Sequence, residues 1–141
     1  MKKQILSFFG VVTLLLVGCG GGGGSGEVVD VAAIIEKKDF YRVKVADVGE
    51  KYMKEVFDGN DTLHEDMYLI NDELDANRTI PYEIISSLVY IYDDVPIRCS
   101  IVDRNDSVEF YCLGVDASGI FPSEPSTIRW KTLEDATANP E

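Results

Sequence analysis

The sequence has little of what most catalytic, metal-binding and nucleic-acid-binding proteins depend on. It contains one histidine, and its 13 Lys+Arg stand against 25 Asp+Glu, a formal net charge of −12. A surface this acidic repels phosphate backbones and anionic lipid headgroups, which argues against a nucleic-acid ligand. His64 has no second histidine to pair with, and no Gly-x-Ser-x-Gly motif is present. We therefore expect no enzyme activity and no cofactor.

Metal-binding patterns are also missing. The acidic turn that starts at Asp58 begins like an EF-hand loop, but its sixth position is Leu63 and its twelfth is Leu69, where calcium loops need Gly and Glu. A site for a softer metal lacks ligands once the cysteines are assigned as below. We expect no metal site.

No apolar run is long enough to cross a bilayer. The longest, residues 5–17, is nearly unbroken over thirteen residues, whereas a spanning helix needs about 20. This run follows Lys2-Lys3, as the apolar region of a signal peptide does. It ends in Leu16-Val17-Gly18-Cys19, which resembles the lipobox of bacterial lipoproteins: two apolar residues, a small residue and the cysteine that accepts lipid.

The lipobox resemblance implies a cleaved signal peptide over residues 1–18 and lipidation of Cys19 by a diacylglycerol and a further acyl chain such as palmitate. Several acyl chains at one terminus anchor a protein durably to a membrane. Gly20, rather than Asp, follows the cysteine, which in the Gram-negative sorting rule implies the outer membrane, facing the periplasm or the cell surface; in a Gram-positive host the rule does not apply. An ordinary signal peptide or membrane anchor with an incidental cysteine is the alternative.

Residues 19–26 form a tether between the lipid site and the rest of the chain. They are glycines apart from Cys19 and Ser25, and such a segment is a flexible coil with a reach of about 15 Å. Cleavage removes Lys2 and Lys3, which leaves 11 basic and 25 acidic residues and a net charge of −14. We expect residues 27–141 to form one domain.

The domain is patterned as short strands. Period-two alternation bounded by turn residues predicts about eight of them: Tyr41–Val45, Tyr52–Phe57, Leu63–Ile70, Thr79–Ile85, Leu88–Tyr92, Ile97–Asp103, Ser107–Leu113 and Thr127–Lys131. Before them, Glu27–Asp39 fits a short helix or a turn. We expect a polar stretch over Asn71–Arg78, a loop over Asp116–Ser126 and a frayed tail after Leu133. This is an all-β antiparallel meander, either a closed or partly open barrel or a β-sandwich.

Two cysteines face each other in one predicted hairpin. If Asn105-Asp106 forms the turn, the register places Cys99 opposite Cys112 in a non-hydrogen-bonded pair, where side chains come close enough for a disulfide. The same register puts Ile101 and Phe110 on the face that carries the cysteines. Disulfides persist outside the cytoplasm, and this short loop should stabilise the fold by about 3 kcal/mol or less. Two buried free thiols are the alternative.

Three Asn-x-Ser/Thr acceptors are candidates for N-glycosylation: Asn60, Asn77 and Asn105. Each follows an aspartate by two residues, as in the longer sequence that bacterial oligosaccharyltransferases require. Aspartate and asparagine also concentrate in turns because their side chains bond the local backbone. Turn chemistry is thus the first explanation, and glycosylation is the hypothesis for a host that has the enzyme.

The order of strands and turns from Lys38 to Ala136 resembles the lipocalin-like meanders carried by some bacterial lipoproteins, as does the late aromatic strand ending in Trp130-Lys131. The strands are shorter than in typical lipocalins, and we expect no C-terminal helix. The strand count, the aromatic residues and the missing catalytic groups lead us to expect a non-enzymatic, monomeric binding module for a small apolar ligand or an envelope protein. The alternative is a structural or protein-interaction lipoprotein that presents an acidic surface to a basic partner.

Overall fold

The computed structural model describes residues 29–116, 118–122 and 126–141. Over these residues the chain forms two short α-helices, α1 (Val31–Ile35) and α2 (Leu133–Ala138), and a 3-10 turn over Val45–Asp47. The strands are β1 (Asp39–Arg42), β2 (Lys51–Phe57), β3 (Thr62–Leu69), β4 (Leu74–Ile85), β5 (Leu88–Ile91), β6 (Ile97–Asp103), β7 (Ser107–Asp116), β8 (Gly119–Pro122) and β9 (Thr127–Trp130).

The strands close into a ring. Strands β1 to β7 pair antiparallel in sequence order, and β9 lies between β7 and β1, which makes eight strands in the closed barrel. β8 pairs with the end of β7, beyond the part that pairs with β9. The prediction of a small all-β antiparallel barrel is confirmed, and the ring excludes the sandwich.

The barrel has two distinct ends because successive strands run in opposite directions. Glu36, just after α1, bridges Phe57 at the end of β2, so α1 shares an end with the β2–β3, β4–β5 and β6–β7 turns; we call it the α1 end. The β1–β2, β3–β4 and β5–β6 connections lie at the other end, which we call the tip end. There the backbone of Glu141 bonds Val43 and Val45, each at 2.8 Å.

The α1 end is closed by α1, in agreement with the predicted short helix or turn. The Asp30 side chain caps the helix by accepting from the Ala33 amide at 3.1 Å. Val31 and Ile35, one helical turn apart, are 2% and 0% exposed in the barrel core. Strand residues fill the rest of this core, among them Phe40, Phe57, Leu63, Ile80, Tyr82, Val89, Ile91, Cys99, Ile101, Val108 and Phe110.

A second helix, α2, stands where a frayed tail was expected. Thr132 caps it by accepting from the Asp135 amide at 3.1 Å, and Ala136 is fully buried. The helix covers an outer apolar cluster that includes Val43 and Tyr52. The capping threonine follows β9 after a single residue, Lys131, and a short helix forms here without a long apolar stretch.

Two further segments differ from expectation. β4 begins at Leu74, within the predicted polar stretch, because residues 74–78 pair with Tyr68–Glu65 of β3 although their side chains are exposed. The predicted loop over Asp116–Ser126 contains β8, which pairs with the end of β7. In both places a neighbouring strand, rather than apolar alternation, fixes the extended backbone.

The predicted register of the β6–β7 hairpin is confirmed, since Cys99 faces Cys112. In the β4–β5 hairpin, Ile84 faces Val89 across the Ser86-Ser87 turn. The two cysteines form a disulfide with an S–S distance of 2.04 Å and a Cα–Cα distance of 4.0 Å. The bridge crosses β6 and β7 on the face that lines the core.

Candidate functional site

Five charged residues lie on the inner face of five neighbouring strands: Arg129 of β9, Arg42 of β1, Glu55 of β2, Glu65 of β3 and Arg78 of β4. We call them the lumen charge cluster. Their positions follow from strand alternation, since each lies two residues from another inward-facing position. The register sets Glu55, Glu65 and Arg78 in one row across the sheet.

The deepest pair joins Glu55 and Arg129. Glu55 is 0% and Arg129 5% exposed. Arg129 Nη2 donates to Glu55 Oε1 at 3.1 Å, and Arg129 Nε lies 3.0 Å from Glu55 Oε2 as an ion pair without hydrogen-bond alignment. The guanidinium carbon lies 3.9 Å from the Phe110 ring centre. Burial lowers the pKa of Arg129, and the adjacent Glu55 carboxylate opposes that shift.

The outer members of the cluster are also paired. Arg42 donates to Glu141 at 3.0 and 2.7 Å and lies 3.9 Å from Glu55. Arg78 donates to Glu65 and lies 3.1 Å from Asp93. Each of the three guanidinium groups is thus paired with at least one carboxylate, and the cluster forms a network of ion pairs on the inner face of the barrel.

The pKa of the Glu65 carboxyl is raised within this network. Burial raises the pKa of its carboxyl, and the neighbouring Glu55 raises it further, while Arg78 acts in the opposite direction. A raised carboxyl pKa means that the fold favours the protonated form. Glu65 therefore stabilises the fold below its ordinary pKa of 4.5, and this contribution is lost as the pH rises through the raised value.

We expect Glu65→Gln to reduce the pH dependence of stability, because glutamine stays neutral where the carboxyl would ionise. Urea unfolding of wild type and variant at about pH 4 and pH 7 measures the effect: the wild type should lose more stability between the two pH values than the variant does. Glu134→Gln on exposed α2 is the matched control and should behave as wild type. Equal losses in wild type and Glu65→Gln would contradict the expectation.

Among the residues that the structure describes, the hollow inside the lumen is small. At the tip end a hollow of about 150 Å³ is lined by Met53, Glu65, Met67, Ala76, Asn77 and Arg78. Binding pockets for small molecules usually enclose about 300–1,000 Å³. Two larger hollows open to solvent on the outside, one of about 1050 Å³ between β9 and the C-terminal residues and one of about 630 Å³ beside Tyr82 and α1.

The sites predicted from the sequence are spread over the molecule. Cys19 lies outside the described residues. Asn60 is exposed in the β2–β3 turn and Asn105 in the β6–β7 turn, whereas Asn77 is exposed on β4, paired with Asp66 of β3. His64 lies on β3, with Nε2 3.4 Å from Asp58 Oδ2.

The aspartates that precede the three asparagines have structural partners. Asp58 accepts from the amides of Asn60 at 2.6 Å and Thr62 at 3.1 Å, and these backbone bonds lower the pKa of its carboxyl. Asp75 pairs with Lys51 at 3.0 Å and Asp103 with Lys131 at 2.7 Å. Turn chemistry and ion pairing thus account for the three aspartates, and glycosylation stays a prediction.

None of the lumen charge cluster stands out in the sequence. In the sequence, an inward-facing charge can be recognised when the residues two positions before and after it on the same strand are apolar. Glu55 lies between Met53 and Phe57 in this way, and Glu65 lies between Leu63 and Met67. Such a charge faces the core if its apolar neighbours do. Its partner becomes visible only once the register of several strands is known.

These features define a closed antiparallel β-barrel module whose interior holds an apolar core and a paired charge network. No protein-family model, curated protein or solved structure matches the chain. Among the described residues, no helix is long and apolar enough to cross a membrane, and no group of three or more His, Cys, Asp or Glu could hold a metal ion.

Proposed function

We propose that this chain is a non-enzymatic, lipid-anchored protein of the cell envelope whose barrel acts as a scaffold and binds another protein through its surface. The lipobox-like Leu16-Val17-Gly18-Cys19 and the glycine-rich tether support the anchor. Because side chains fill the interior of the barrel, we expect the protein to bind its partner through its outer surface. An extracytoplasmic location agrees with the Cys99–Cys112 disulfide.

The occupied lumen is the observation that carries the proposal. Val31 and Ile35 of α1 and the ring of Phe110 pack in the apolar core. The lumen charge cluster occupies further space inside the barrel, and an apolar ligand entering there would have to separate ion pairs, of which Glu55–Arg129 is buried. Separating a buried pair strands a charge, which costs several kcal/mol.

The second candidate is a carrier of a small apolar ligand. The hollow at the tip end favours it, because Met53, Met67 and Ala76 give that hollow an apolar lining. Its volume of about 150 Å³ restricts such a ligand to a few heavy atoms unless the β3–β4 hairpin moves.

Native mass spectrometry of the protein extracted from its own membrane in mild detergent distinguishes these functions. We expect the polypeptide from Cys19 onward plus lipid, with no further small molecule. The Cys19→Ser variant is the control and should keep residues 1–18 and carry no lipid. A retained apolar ligand would favour the carrier, and unlipidated Cys19 in the wild type would refute the anchor. Carbohydrate on peptides containing Asn60, Asn77 or Asn105 would establish glycosylation.

A further inference from the structure

Four aliphatic side chains are exposed on two neighbouring connections at the tip end. In the β1–β2 connection Val45 is 66% and Val48 45% exposed, and at the β3–β4 turn Ile70 is 55% and Leu74 48% exposed. We call these four residues the tip surface. Single exposed aliphatic residues are ordinary, but several on adjoining loops of a small domain indicate an interaction surface.

Hydrogen bonds and an ion pair link the two connections and the strands next to them. The Ile70 amide donates to the Glu50 carbonyl at 2.9 Å, and Tyr52 donates to Asp72 Oδ1 at 2.6 Å. Lys51 Nζ lies 3.0 Å from Asp75 Oδ2. The loops are therefore held in one arrangement before any partner arrives, which reduces the entropy that binding would cost.

Acidic side chains accompany the tip surface. The two connections, the first residue of β2 and the first two residues of β4 carry two lysines, Lys44 and Lys51, against five carboxylates: Asp47, Glu50, Asp72, Glu73 and Asp75. Asp47 and Glu50 lie close enough to raise the pKa of Lys51, although the main causes of that shift are the hydrogen bond and charge of Asp75. The apolar surface thus lies among negative charges.

We propose that the tip surface binds a partner protein that offers an apolar patch bordered by lysines and arginines. This inference rests on the proposed function and locates its binding surface. The excess of carboxylates would repel a second copy of the chain and an anionic lipid surface, and it would speed association with a basic protein. α1 lies at the opposite end of the barrel from the tip surface.

A second exposed apolar region fits such a partner less well. Val102 of β6 and Tyr111 and Leu113 of β7 are 39%, 43% and 38% exposed on the outer wall of the barrel. They lie opposite Glu109, Ser100 and Arg98 in the β6–β7 register. Charges of both signs border this region, so it has no preference for a basic partner.

Site-specific photo-crosslinking in the native host tests the proposal on the full-length protein. A photoreactive amino acid replaces Val45 or Ile70 on the tip surface, or Val102 or Tyr111 on the outer wall as matched exposed controls. We expect one adduct at the tip positions, identified by mass spectrometry as a protein with a basic surface. The double variant Asp47→Lys/Glu73→Lys should lower its yield about tenfold, whereas Glu134→Lys/Asp106→Lys, which adds the same charge elsewhere, should not.

Each other crosslinking result would overturn the tip surface, the basic partner or the proposed function. Adducts only at Val102 or Tyr111 would refute the tip surface and leave the proposed function standing. A tip adduct to a second copy of the chain, or one that survives Asp47→Lys/Glu73→Lys, would refute the basic partner. No adduct at any position of protein that is present in the envelope would overturn both the tip surface and the proposed function.

Discussion

Replacing Glu55 by leucine while Arg129 is kept should lower the free energy of unfolding by about 3–5 kcal/mol, because it leaves a buried guanidinium without its closest carboxylate. Glu55 is fully buried and holds Arg129 at 3.1 and 3.0 Å. Glu65, whose charge also acts on Arg129, already pairs with Arg78. We therefore do not expect Glu65 to replace Glu55 as the partner of Arg129.

The double variant Glu55→Leu/Arg129→Met is the informative control. Exchanging a whole buried ion pair for apolar residues of similar volume is often neutral or stabilising, so the double variant should recover most of the loss. Urea unfolding of the oxidised proteins measures both changes. If the single and double variants were equally unstable, the loss would come from packing rather than from an unpaired charge.

Phe110→Ala should cost about 3–5 kcal/mol of stability, because it opens a cavity in the middle of the apolar core. The ring is 0% exposed, lies 5.9 Å from the Phe57 ring centre and supports the Arg129 guanidinium. The substitution therefore removes both the contact between two aromatic rings and the ring on which the Arg129 guanidinium packs.

Tyr111→Ala provides a control one residue away. Tyr111 is on the same strand but faces outward and is 43% exposed, so its loss should be below about 1 kcal/mol. Thermal or urea unfolding of both variants measures the difference. Similar losses at the two positions would contradict the assignment of Phe110 to a tightly filled lumen.

Local features of the fold could be predicted from the sequence because they depend on a turn and its flanking residues. The Asn105-Asp106 turn fixes the register that places Cys99 opposite Cys112. The Ser86-Ser87 turn fixes the register of the β4–β5 hairpin. The closure of the ring could not be predicted in this way. It depends on Tyr41 pairing with Trp130, at opposite ends of the domain, and nothing local in either strand specifies that partner.

The lumen charge cluster could not be predicted from the sequence for a related reason. Glu55 and Arg129 look like surface charges when each strand is considered alone, and only the closed ring shows that they face each other. The start of β4 was missed because Leu74 is followed by polar residues whose extended backbone is fixed by β3. In each case the deciding interaction lies on another strand.

The position of β9 in the ring affects how the barrel folds. β9 is the last barrel strand to be synthesised, and it inserts between β1 and β7, which until then have unpaired edges. It also carries Arg129, the closest cation to Glu55. Until β9 joins the ring, Glu55 lacks its closest cation and has Arg42, 3.9 Å away, as a neighbouring positive charge. We therefore expect Glu55 to stay hydrated and to keep water in the unfinished core, so that closure of the ring and drying of its interior occur together.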